Sequence, residues 1–65
     1  MVDEATLRLL RTADRTFPMI ADVSEHIADL SQNDVTQLMQ YLIAEGEDKA
    51  MGILLNAAAF LRMQV

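Results

Sequence analysis

Residues 50–61 read AMGILLNAAAFL, and within them Asn56 carries the one polar side chain. Alanine, leucine and methionine are strong helix formers, and Glu47 and Asp48 stand just upstream, where a helix macrodipole favours negative charge. The spacing therefore predicts a helix from Glu47 and Asp48 to the end of the chain. A helix that is apolar on every side has to be covered on every side. Gly52, Ala57, Ala58 and Ala59 leave part of it low in relief, so another backbone could come close there. Gly52 also costs roughly 1 kcal/mol against alanine in a helix interior, which suggests a contact that needs it. The bland alternative makes this helix simply the centre of a small bundle. The favoured expectation is a second covering surface, with Met51, Gly52, Leu55, Asn56, Ala59, Phe60 and Met63 as the partner interface.

Three shorter helices are expected upstream. The first spans Asp3 to about Asp14, with Leu7, Leu10 and Phe17 on one face beside Ala13, and an i,i+4 pair of Glu4 with Arg8. "TFPMI" at 16–20 breaks it, because proline cannot continue a helix and pushes Phe17 away from helical geometry. Pro18 suits the first turn of a second helix to about Leu30. Ile20, Val23, Ile27 and Leu30 form its buried stripe, and Asp22, Glu25, His26 and Asp29 its wet one. Ser31 then caps a third helix, with Asp34 three residues on. Val35, Leu38, Met39 and Leu42 point inward, and Gly46 closes the helix as a left-handed cap. No alternating β-branched run or hairpin turn competes. The fold class is all-α, four short helices arranged as two antiparallel hairpins.

Composition makes association the first expectation. At 65 residues the chain buries only about 60% of its unfolded surface, and residues 1–65 make one all-helical domain. It has no cysteine, so disulfides cannot reinforce it, and one histidine does not make a structural zinc site. Yet 52% of its residues are hydrophobic, above the roughly 45–50% of ordinary globular chains. Ten acidic against five basic residues give a net charge of −5, which disfavours binding to nucleic acid or anionic membranes. No basic leader or span of about 20 apolar residues is present. A cytoplasmic protein is the default.

Offsetting the chain against itself by 31 positions pairs Asp3 with Asp34, Leu7 with Leu38, Ala13 with Ala44, Ala28 with Ala59 and Leu30 with Leu61. Each half then reads helix, turn, helix. The pattern resembles short HEAT-like repeats, a solenoid family that binds other proteins, over nearly the whole chain. "EGED" stands where that family has an Asp-Pro turn, and Lys49 is the nearest counterpart of its early arginine. Solenoids generally need at least three repeats. The resemblance therefore implies a scaffold role and the N-terminal piece of a longer helical-repeat protein.

Little in the sequence suggests catalysis. His26 has Asp22 one turn before it and Asp29 one turn after, but such a cluster is more often a solvated face than a metal site. Arg8, Arg11 and Arg15 read as a solvated face pairing with Glu4, Asp14 or the acidic second helix. Ser24 and Ser31 have no base placed beside them. No catalytic, cofactor or metal residue is assigned, and no enzyme is expected. The expected function is a protein–protein interaction module or scaffold that buries its last helix against a protein partner. A homodimeric helical bundle for oligomerisation or regulation is the alternative. A minimal metal protein or enzyme dependent on His26 is the rival from another class.

Overall fold

The computed structural model describes residues 2–63. They form four α-helices: α1 (Glu4–Thr12), α2 (Phe17–Ala28), α3 (Gln32–Ala44) and α4 (Asp48–Met63). No strand occurs among the described residues, and the all-α expectation holds. The expectation that the last helix reaches the chain end falls on Gln64 and Val65, which lie outside the described residues.

Asp3 is the N-cap of α1; its backbone carbonyl accepts from the Leu7 N–H at 3.0 Å. Its carboxylate accepts a hydrogen bond from the Thr6 hydroxyl, so Thr6 lies fully buried without an orphaned oxygen. The helix ends two residues short of Asp14, because Ala13 turns to an extended conformation. Asp14 then accepts hydrogen bonds from the backbone N–H and the hydroxyl of Thr16, a side-chain mimic of a backbone turn. These bonds, the hydroxyl's foremost, hold the Asp14 carboxyl below its ordinary range.

That turn corrects two expectations about Phe17. The residue is helical, because α2 starts from Thr16 as N-cap and the Ile20 N–H bonds the Thr16 carbonyl at 3.0 Å. Pro18 then sits in the first turn, where its missing N–H has no partner to lose. Phe17 also lies outside the core, 70% exposed. The period that aligns it with Leu7 and Leu10 does not survive the extended residue at 13.

Two junctions form as the sequence predicts. The Ser31 hydroxyl accepts the Asp34 N–H at 3.1 Å. Gly46 adopts φ +69°, while the Glu47 N–H reaches the Leu42 carbonyl at 3.0 Å and the Gly46 N–H reaches Ile43 at 3.2 Å. This pair of bonds is the Schellman closure of a helix end. Glu47 at once serves the next helix, its carbonyl accepting from the Met51 N–H at 3.0 Å.

α4 packs against each of the other helices, most extensively against α2; α1 also packs on α2. The core joins Leu7, Leu10 and Ala13, Ile20, Val23 and Ile27, Leu38 and Leu42, and Ala50, Ile53, Leu54 and Ala57. The inward stripes expected for α2 and α3 are thus correct at their centres. Leu30, Val35 and Met39 are only half-buried at the margins.

Candidate partner interface along the fourth helix

The buried residues of α4 occupy one side of it, and the chain leaves the other side open. Leu55, Asn56, Ala59, Arg62 and Met63 are exposed, while Met51, Gly52, Ala58, Phe60 and Leu61 are half-buried. Each of the seven residues expected at an interface therefore lies outside the buried side. Leu55 is 52% and Met63 82% exposed. Asn56 sits among them in contact with solvent, so its amide needs no protein partner.

The turn between α1 and α2 borders this face. The Phe17 ring packs edge-on against Phe60, with centroids 5.4 Å apart and planes at 77°, a favoured aromatic geometry. Phe17, Ala21, Ser24, Glu25, Phe60 and Leu61 line a shallow groove of about 440 Å³ beside the pair. At 100° per residue Phe60 stands about 140° around α4 from Leu55, so the pair lies at the edge of the open side, toward α2. Nearer the start of α4, the Arg15 guanidinium lies over Gly52: a Cβ there would stand 2.8 Å from Arg15 Nη2. The close approach that the sequence suggests at Gly52 is made by a side chain of the same molecule.

Arg11 has a different role from the one expected of it. Its guanidinium donates from Nε at 2.9 Å and from Nη2 at 2.7 Å to the two carboxylate oxygens of Glu47, and lies 3.4 Å from the Tyr41 hydroxyl. It also stands 6.0 Å from the centre of the Tyr41 ring. The hydrogen bonds from Arg11 hold the Glu47 carboxyl below its ordinary range and raise the pKa of Arg11 itself. This is the one ion pair among the described residues, so neither the Glu4–Arg8 pair nor pairing of Arg11 with Glu4, Asp14 or α2 is formed. The pair joins the residue before α4 to α1, alongside the apolar contacts between the two helices.

The candidate chemical groups are engaged locally. His26 is exposed, and its Nδ1 lies 3.1 Å from the Asp22 carbonyl, an acceptor to which the ring N–H donates. The buried Ser24 hydroxyl donates to the Ala21 carbonyl at 2.7 Å. No group of three or more potential metal ligands gathers among the described residues. No helix there is long and apolar enough to cross a membrane.

Sequence reasoning placed Phe17 on the inward face of α1, and it passed over Asp48 and Arg62, which flank Leu55 on the open side of α4. The heptad-like spacing of Asp48, Leu55 and Arg62 was the signal available. No protein-family model, curated protein or solved structure shows significant similarity to the chain.

Proposed function

We propose that the protein is a non-catalytic interaction module that works by burying the open side of α4 against another protein surface. The exposure of Leu55 and Met63 on the side of α4 away from its buried residues carries this reading. Large apolar side chains gathered on one open helix side are stabilised by being covered. The helical-repeat scaffold version rests on the 31-residue offset in the sequence alone, since α1 packs on α4 as well as on α2. The homodimer version has its own support in the charges that flank Leu55.

Site-resolved crosslinking tests the reading. A photoreactive residue at position 59 should give discrete protein adducts in the cells that make the protein, and one at the exposed position 36 on α3 should not. Adducts from position 36 alone, or from neither, would overturn it.

A further inference from the structure

We propose that the partner of α4 is a second copy of α4, packed antiparallel about a two-fold axis through Leu55. The inference rests on the docking role above and specifies its occupant and geometry. Asp48, Leu55, Ala59 and Arg62 are all exposed. At 100° per residue they fall within about 40° of Leu55 around the helix. Asp48 and Arg62 stand seven residues before and after Leu55. A two-fold axis at Leu55 therefore sets each Asp48 opposite the Arg62 of the second copy, twice per dimer. The same operation sets Met51 against Ala59, a bulky side chain against a small one.

Positions 48, 51, 55, 58 and 62 follow the alternating three- and four-residue spacing of a coiled-coil seam. A charge at each end and apolar residues between them suit a short pairing of fixed register. The signs of Asp48 and Arg62 satisfy the macrodipole of any helix, but the macrodipole does not dictate which face they occupy. Parallel pairing would place Asp48 against Asp48 and Arg62 against Arg62. Antiparallel pairing removes both repulsions and opposes the two macrodipoles. Each copy carries −5, yet at physiological salt charges beyond about 8 Å are largely screened, so the pairs at the seam set the register.

The contact is narrow. Sixteen residues make a helix about 24 Å long, too little for the roughly 800 Å² per partner of a standard interface. The dimer is therefore expected in the micromolar range, with charge governing orientation more than affinity.

Sedimentation equilibrium on the whole chain tests this with Asp48→Arg, Arg62→Asp, the double exchange and Leu55→Glu, each checked for helicity by circular dichroism. Each single exchange should weaken the dimer by about tenfold, and the double exchange should restore it to within about threefold of the starting chain. Both exchanges oppose the macrodipole of their own helix, so recovery in the double variant cannot come from a better helix. Arg62 lies in the last turn, so Arg62→Asp keeps the test open if Asp48→Arg fails to fold. If Leu55→Glu abolishes the dimer while the charge exchanges leave it unchanged, the antiparallel pairing is wrong and docking through α4 stands. A chain that stays monomeric at high concentration overturns the second copy, leaving the crosslinking to judge a different protein partner. A dimer indifferent to Leu55→Glu overturns both.

Discussion

Leu54 and Gly52 stand two positions apart on α4 and respond to substitution in opposite ways. Leu54 is 1% exposed, and truncation there loses transfer free energy and leaves a cavity. Leu54→Ala should cost about 2–5 kcal/mol. A core this small rarely supplies more than about 3–5 kcal/mol, so the variant should be close to unfolded. A thermal midpoint within a few degrees of the starting protein would place Leu54 outside the core. At Gly52 the only atoms near a new Cβ belong to the Arg15 guanidinium, the far end of an exposed, flexible side chain. Arg15 can swing away, and the helix then gains alanine's propensity. Gly52→Ala should stabilise the monomer by about 0.5–1 kcal/mol, read as a shift in urea midpoint with unchanged slope. A loss of the same size would mean that Arg15 is held in place by more than its contact with Gly52.

At the scale of the helix, what was legible in the sequence was whatever depends on near neighbours. Ser31 and Gly46 could be placed because a cap and a left-handed closure are decided within a few residues. A Cβ added at Gly46 would meet nothing within 4 Å, so its substitution costs backbone energy alone. Gly46→Ala should cost about 1–2 kcal/mol, and an unchanged urea midpoint would show that the closure readjusts without the positive φ. The early end of α1 was not legible, because it depends on Asp14 bonding Thr16 in preference to continuing the helix. Phe17 was misplaced for the same reason: a period counted across a break has no structural meaning. The seven residues expected on the uncovered part of α4 all lie outside its buried side, but Asp48 and Arg62 were not among them. Burial follows the same 3.6-residue period that amphipathic reading uses, although this helix is apolar on nearly every side. Ile43, 66% exposed at the end of α3, follows no pattern the sequence displays.

At the scale of the molecule, the exposed apolar side chains do not come from loose packing. The radius of gyration of 10.6 Å is about that of a globular domain of this length, near 11 Å. Arg11 and Glu47, 36 residues apart, join α1 to the start of α4. No local pattern announces such a pair; it arises because the Schellman closure at Gly46 turns Glu47 toward α1. Its bonds make the folded state take up a proton at Glu47 less readily than the unfolded chain does, and the Thr16 bonds do the same at Asp14. The sign follows from that difference. Both contributions are fully present above the ordinary carboxyl values of 4.5 and 3.8, and both are lost as pH falls below them through the lower folded values. The thermal midpoint should therefore stay level from about pH 6 to pH 5 and decline below about pH 4.5. Glu47→Gln should lower the midpoint at neutral pH and make the acid decline shallower. High salt should shrink that difference, since the pair is partly exposed. A Glu47→Gln variant whose midpoint tracks the starting protein at every pH would show that α4 is held to α1 by its apolar contacts alone.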